Sequence, residues 1–153
     1  MATIDRPDPV ILSHVLGEHR DLFRLMSCVR SAFAEADELT LGRCACVLES
    51  LHHLRDHLHD HFAQEEKGGF LEEAICRVPR LSAAVQSIIS QHPGLLAQLD
   101  ELINALDASS ELTPAWSRAG HAFETFSEHM TAHERAENAA VQEGYNEDLG
   151  LVE

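Results

Sequence analysis

Four long segments of this 153-residue chain place apolar residues at spacings of three, four and seven, which is the period of an α-helix. Few glycines or prolines interrupt them, and no stretch shows the β-branched alternation of a strand. The pattern therefore predicts an all-α fold. The predicted helices span about Val10–Ala36, Leu41–Lys67, Arg80–Leu106 and Thr113–Gln142, with a short helical piece at Phe70–Cys76.

The connections between the long helices are only a few residues long, which favours antiparallel neighbours and hence an up-down-up-down four-helix bundle. Thr113 is predicted to cap the fourth helix, with Pro114 at its first position. Pro93 lies inside the third helix, where it removes a backbone hydrogen bond and predicts a kink near His92. The residues from Gly144 onwards carry no pattern that decides their structure.

Length and charge limit the class of protein. A chain of this length, 44% hydrophobic, is predicted to form one compact domain over residues 1–153. Its 26 acidic and 11 basic side chains give a net charge of −15, which argues against nucleic acid or an anionic membrane as a partner. The absence of a long apolar run or a secretory signal predicts a soluble, cytoplasmic protein, and a homo-oligomer is compatible with the sequence.

The four cysteines are too irregularly spaced for a disulfide framework, which a domain of this size does not need. Cys44 and Cys46 would lie about 200° apart around a helix, so they cannot both face one metal ion. We interpret them as small residues that pack between helices.

The chain contains an internal repeat. Residues 57–70 (HLHDHFAQEEKGGF) and 129–142 (HMTAHERAENAAVQ) both contain His-x3-His-x3-Glu, 72 positions apart. Upstream, the segment around His19 (VLGEHRDLFRLM) aligns with the segment around His92 (IISQHPGLLAQL). The repeat predicts two helical hairpins, at about 10–76 and 80–142, each with one histidine on its first helix and His-x3-Glu on its second.

Helical geometry predicts that these side chains face the core. Residues four apart lie about 40° apart around a helix, so His61 and Glu65 share the apolar stripe of Leu54 and Leu58. A buried, unpaired carboxylate costs several kcal/mol, and a pair of divalent metal ions would compensate for several such groups. Imidazole and carboxylate donors suit iron, manganese or zinc better than calcium. The predicted ligands are His19, His61, Glu65, His92, His133 and Glu137.

A single histidine on an apolar face is more often a hydrogen-bonded core residue than a ligand, but the twofold occurrence favours a metal site. His57 and His129 precede the ligand histidines by four residues, at the edge of the stripe. They are candidates for hydrogen-bond donors that polarise a bound oxygen species, for replacement ligands, for an additional metal position or for half-exposed boundary residues. The remaining histidines are predicted to point away from the stripe: His14, His52, His53, His59 and His121.

Two neighbours of the ligands differ between the repeats. Glu134 follows His133 and can also reach a metal, whereas Phe62 occupies the equivalent place after His61 and cannot. Phe62 is instead predicted to form, with Phe126 and Met130, an apolar wall that limits access.

This set of residues resembles the hemerythrin-like, His-His-Glu cation-binding family: His19, His61-x3-Glu65, His92 and His133-x3-Glu137, over nearly the whole chain. The resemblance implies a four-helix bundle that holds a non-haem di-iron centre. It further implies that Glu65 and Glu137 bridge the irons, together with oxo, hydroxo or water, and that the histidines are terminal ligands. A labile position would accept oxygen, nitric oxide, peroxide or water.

The chain departs from the oxygen-carrying members of that superfamily, which have His-x3-His on the third helix and His-x4-Asp on the fourth. Here Leu96 and Asn138 stand at those places. Reversible oxygen storage is therefore disfavoured relative to sensing, detoxification, iron handling or redox chemistry. The chain also lacks the Cys-containing N-terminal extension of di-iron proteins that repair iron–sulfur clusters, so a role as an iron donor is an alternative only.

The sequence thus favours a di-iron protein that binds or reacts with oxygen, nitric oxide or peroxide. As an enzyme it would have a peroxidase, catalase or other oxidoreductase activity, with His57 or His129 as a proton donor. A non-enzymatic metal-binding or regulatory module is the alternative, and a metal-free scaffold is a third reading.

Overall fold

The computed structural model describes residues 9–35, 38–67 and 69–150, with the side chains of 9–16, 70 and 146–150 left out. Its helices are α1 (Pro9–Ala34), α2 (Leu41–Lys67), α3 (Phe70–Arg77), α4 (Ser82–Ala108) and α5 (Leu112–Gly150), with a 3-10 turn at Pro79–Leu81. These ranges contain no strand, which confirms the all-α prediction. Within them, no helix has an apolar stretch long enough to cross a bilayer.

The four long helices form the bundle that the sequence predicts. Helix α1 packs on α2 and α5, and helix α4 packs on the same two neighbours, so each long helix touches two others around a shared core. The core is rich in leucine, including the fully buried Leu22, Leu51, Leu54 and Leu99. Each such side chain contributes about 1.5–3 kcal/mol when it leaves water, so the apolar stripes hold the helices together.

Along α2 the buried stripe changes character towards the carboxyl end. Its buried positions pass from Leu54 and Leu58 to His61, Phe62 and Glu65 without a break in the helical spacing. The same helix therefore supplies apolar packing in its middle and polar side chains in the core near its end. Helix α4 also places a polar side chain in the core, because His92 is buried among the aliphatic positions of its stripe.

A second apolar cluster lies between α3, the start of α4 and the last third of α5. Tyr145 of α5 is fully buried there, and its hydroxyl donates to Glu73 Oε2 at 3.0 Å. The Arg77 guanidinium lies 4.7 Å from the centre of the Tyr145 ring. Gly144 passes so close to Ala74 that a Cβ atom at Gly144 would lie 2.6 Å from the Ala74 Cβ. Helix α3 thus docks on the carboxyl end of α5.

This docking corrects the predicted end of the fourth helix. The prediction stopped near Gln142, but α5 continues to Gly150 because Val141 and Tyr145 bury apolar surface against α3. Its start also differs, since α5 begins at Leu112 and Thr113 is inside the helix rather than its cap. The Glu111 carbonyl already accepts from the Ala115 N–H at 3.2 Å, which starts the helix before Thr113.

Smaller differences concern the other helices. Helix α1 ends at Ala34 rather than Ala36, and α4 begins at Ser82, after the 3-10 turn, rather than at Arg80. Phe23 of α1 is 39% exposed although its neighbour Leu22 is fully buried. Helix α4 is continuous through Pro93, and the kink stays a prediction.

Candidate metal centre

All six predicted ligands are buried between the four long helices. His19 comes from α1, His61 and Glu65 from α2, His92 from α4, and His133 and Glu137 from α5. None of them is more than 4% exposed. Residues that are up to 118 positions apart in the chain therefore meet in one polar cluster inside an apolar core.

The cluster divides into two groups of possible metal ligands. Group A consists of His19, His61, Glu134 and Glu137, and group B consists of Glu65, His92, His133 and Glu137. Within each group, one nitrogen or oxygen atom from every residue lies within 4.8 Å of the others. Each group thus offers two imidazoles and two carboxylates, a donor set that divalent transition metals accept.

Two carboxylates extend from one group to the other. Glu137 Oε1 lies 3.1 Å from His19 Nε2 in group A, and its Oε2 lies 3.5 Å from His133 Nε2 in group B. Glu65 does the same, because its Oε2 is 3.0 Å from His92 Nε2 while its Oε1 contacts His61 Nε2. A carboxylate that bridges two metal ions directs one oxygen at each ion, and both of these side chains have one oxygen in each group.

Glu134 is a third buried carboxylate and belongs to group A alone. It is 1% exposed, with Oε2 2.9 Å from His19 Nε2 and Oε1 3.9 Å from His61 Nε2. The sequence indicated that Glu134 can reach a metal, and the structure places it among the histidines of the first predicted hairpin rather than beside its own neighbour His133.

Opposite charges support one another in the metal-free cluster. Burial alone would lower the pKa of His19, but Glu134 and Glu137 outweigh it and raise that pKa to about 10. Burial also opposes the charge of His61, whose pKa is nevertheless raised by Glu65. The pKa of Glu65 is lowered in turn, because His61 and His92 stabilise the carboxylate against the effect of burial.

Most polar atoms of the cluster nevertheless lack a hydrogen-bond partner among the described residues, and the contact between His19 Nε2 and Glu137 Oε1 at 3.1 Å is an exception. Apart from His19 Nδ1, the orphaned atoms are Nε2 of His61, His92 and His133, both oxygens of Glu65 and Glu134, and Oε2 of Glu137. A buried polar group without a partner costs about 1–3 kcal/mol, and proteins contain few of them. A cation in each group would satisfy these atoms, so the residues fit a pair of metal ions.

Residues 10–142 match the hemerythrin HHE cation-binding domain. The chain belongs to this family. Members bind metal cations through histidine and glutamate, and both groups lie inside the matched range of this hemerythrin HHE domain. No curated relative and no solved structure matches the chain.

In this hemerythrin HHE domain, each histidine of group B has an acceptor from another helix beside its Nδ1 atom. Nδ1 of His133 lies 2.9 Å from Gln91 Oε1, and Nδ1 of His92 lies 3.3 Å from Glu66 Oε1. When Nδ1–H donates to such an acceptor, the lone pair of Nε2 points at the metal, which is how metal-binding histidines are usually oriented. Sequence reasoning missed Gln91 and Glu66.

The Glu18 carboxylate lies near both His61 of group A and His57, at distances too long for hydrogen bonds. Glu18 Oε2 lies 3.8 Å from Nδ1 of His61 and 3.7 Å from Nε2 of His57. A usable signal was present, because Glu18 and Gln91 directly precede the first histidine of each repeat. His57 thus adjoins the cluster through a carboxylate and belongs to neither group.

His129, the counterpart of His57, is exposed, and its Nδ1 lies 3.1 Å from Gln98 Oε1. It lines a surface cavity of about 410 Å³ together with Gln91, Gln98 and His133, and it belongs to neither group. The histidines predicted to point away are exposed where the structure describes them, at His52, His53, His59 and His121. The side chain of His14 lies outside the described residues.

The apolar neighbours are buried as predicted, whereas one of the two cysteines is not. Phe62, Phe126 and Met130 are at most 2% exposed, and Phe62 lies directly on the cluster. Cys44 is buried, but Cys46 is exposed, so the prediction that Cys46 packs between helices is wrong. The two cysteines do not face a common metal.

Proposed function

We propose that the protein binds two iron ions, one in group A and one in group B, and that this centre binds or reacts with oxygen, nitric oxide or peroxide. The role would be sensing, detoxification or iron handling. One observation carries the proposal: two buried pairs of imidazoles share two carboxylates, each with one oxygen on either side. Manganese and zinc fit the same donors, and zinc is disfavoured because reaction with the proposed ligands requires a redox-active metal.

The residues of the chain have separate tasks in this proposal. His19, His61 and Glu134 would hold the ion of group A, and His92 and His133 that of group B. The shared carboxylates, Glu65 and Glu137, would span both ions. A bound iron pair supplies electrons to, or accepts them from, a small ligand.

The surroundings of the groups support a small ligand. Buried aliphatic and aromatic side chains exclude bulk water, so the charges of the donors act at close to full strength. Gln91 and Glu66 hold the imidazole rings of group B in place before any ion binds. The net charge of −15 argues against nucleic acid or an anionic membrane as the partner and is compatible with a small ligand.

A metal-responsive regulatory module, or an iron donor, is the second candidate. Each group takes its donors from three of the four long helices, so an ion in either group would connect three helices and raise the stability of the bundle by mass action. In this role the protein would bind iron and would not turn over. Turnover of peroxide by the loaded protein, compared with the rise in melting temperature on loading, separates the two candidates.

The test begins with anaerobic loading by ferrous iron and measurement of iron per chain. We expect two irons in the natural chain and in the control His53→Ala, which changes an exposed histidine of α2. The double variant His61→Ala/Glu137→Ala should lose iron and the accompanying rise in melting temperature. Unchanged iron content and melting temperature in that variant would show that the cluster is a metal-free scaffold.

The second step exposes the loaded protein separately to air, peroxide and nitric oxide. We expect a new charge-transfer band or a change in the iron oxidation state with at least one of them. If iron binds with the expected stoichiometry but none of the three reagents changes the spectrum, the proposed ligands are wrong and the metal-responsive role remains.

A further inference from the structure

The two repeats differ at the residue that follows the second-helix histidine. Phe62 follows His61 in α2, and Glu134 follows His133 in α5, 72 positions later. Both side chains are at most 2% exposed, so each occupies space inside the cluster. An apolar ring and a carboxylate therefore stand at equivalent places around the two groups.

Each of these side chains faces the group that contains the histidines of the other predicted hairpin. The Glu134 carboxylate lies against His19 and His61 of group A. The Phe62 ring stacks on His92 of group B, with centroids 3.8 Å apart and planes at 7°, and lies edge-on to His133 at 5.5 Å. Phe62 thus occupies, for group B, the place that Glu134 occupies for group A.

Because Phe62 stands where Glu134 stands in the other repeat, the two metal positions have different numbers of protein donors. A metal in group A would meet two imidazoles, Glu134, and one oxygen from each of the shared carboxylates Glu65 and Glu137. A metal in group B would meet two imidazoles and the two shared carboxylates. No third carboxylate joins group B among the residues that the structure describes.

The two metal positions also differ in net charge. With equal ions, the shared carboxylates neutralise both positions equally, and Glu134 adds one negative charge to group A only. Group B is therefore one unit more positive, and an anion is attracted to it. Group B also lies next to a surface cavity of about 410 Å³, because His133 lines this cavity together with Gln91 and His129.

We infer that the exogenous ligand binds at group B, at a position beside the Phe62 ring to which no protein donor is directed, and that Glu134 closes the corresponding position of group A. The inference rests on the proposed function, since it requires an iron in each group. The Phe62 ring limits the space beside group B, so the ligand is a dissolved gas or a small linear anion.

Azide is the probe, because it is a small anion that gives a charge-transfer band on ferric iron. The diferric natural chain should bind one azide per two irons. Phe62→Glu supplies the missing donor to group B, so this variant should keep two irons and lose azide binding. Glu134→Ala opens group A, so this variant should bind a second azide. Glu128→Ala, which removes an exposed carboxylate of α5, serves as the control and should bind one.

Iron content and circular dichroism are measured first. A natural chain without iron contradicts the proposed function itself. If two irons are present, an unchanged azide stoichiometry in either variant overturns the inference. Should Phe62→Glu not fold, Glu134→Ala decides alone: two azides support the inference and one azide refutes it. A Mössbauer spectrum of the natural chain gives a further check, because azide should alter the signal of one iron and leave the other.

Discussion

Replacing Gly144 by alanine tests the contact between α5 and α3. A Cβ atom at Gly144 would lie 2.6 Å from Ala74 Cβ, 3.0 Å from its Cα and 3.5 Å from its carbonyl oxygen. Carbon atoms pack favourably at about 3.5–4.0 Å, so the two helices would have to separate by about 1 Å. These atoms cannot rotate away from one another, because each is a backbone atom or a Cβ atom bonded directly to the backbone.

Two effects determine the size of the change. Overpacking of this kind costs about 1–3 kcal/mol, whereas the higher helix propensity of alanine returns about 0.5–1 kcal/mol. We expect Gly144→Ala to lower the free energy of unfolding by about 1–2 kcal/mol. Gly120→Ala in the same helix is the matched control, since its nearest contact would be Phe33 Cδ1 at 3.7 Å. This control should be more stable than the natural chain by about 0.5–1 kcal/mol.

The assay is urea unfolding of chelator-treated protein, followed by circular dichroism, with the slope of the transition held to a common value. Gly144→Ala should have a lower midpoint and Gly120→Ala a higher one. Adding Ala74→Gly to Gly144→Ala removes the nearest clash and should restore part of the loss. If Gly144→Ala is as stable as Gly120→Ala, the close docking of α5 on α3 is refuted.

Three further predictions concern the cluster and the core. Gln91→Ala should weaken zinc binding by about 10–100-fold, because it frees the ring of a group B histidine. The control Gln98→Ala loses only a contact to an exposed histidine and should bind zinc as the natural chain does. Equal zinc affinities of the two variants would contradict the positioning role of Gln91. The pKa of His19 is raised from 6.5 to about 10, so its contribution to the stability of metal-free protein is complete below pH 6.5 and is lost as the pH rises towards 10. The midpoint of urea unfolding should therefore fall across this pH range. A flat profile would argue against the ion pairs of His19 with Glu134 and Glu137. Leu54→Ala should cost about 2–5 kcal/mol in urea unfolding, and Leu41→Ala, at an 80% exposed position, close to none; similar losses would contradict the described core.

The helices and the cluster were predictable because each leaves a periodic trace in the sequence. The spacing of three and four that marks Leu54 and Leu58 as core continues to His61 and Glu65, so burial of the polar residues follows from the same rule. Repetition then distinguished metal ligands from isolated core histidines. Their roles as ligands stay a prediction, while their common burial and proximity are structural facts.

The parts that escaped prediction depend on contacts between helices. Helix α5 continues past Gln142 because Tyr145 packs on α3, and no local signal in the last residues encodes that partner. The direction of Glu134 towards group A, away from the adjacent His133, is likewise set by how the helices face one another. Gln91 directly precedes a repeated histidine but lies on a different helix from the histidine it holds, so spacing along one helix cannot pair the two.

The contribution of α5 to both groups has a consequence for biosynthesis. Group A takes Glu134 and Glu137 from this last helix, and group B takes His133 and Glu137 from it. While the chain is being made, neither donor set can be complete until residue 137 has left the ribosome. A nascent chain that stops before α5 holds no more than two members of either group. If the groups hold metal ions as proposed, metal capture is therefore a late event, and we expect incomplete translation products to compete weakly with finished protein for the ions.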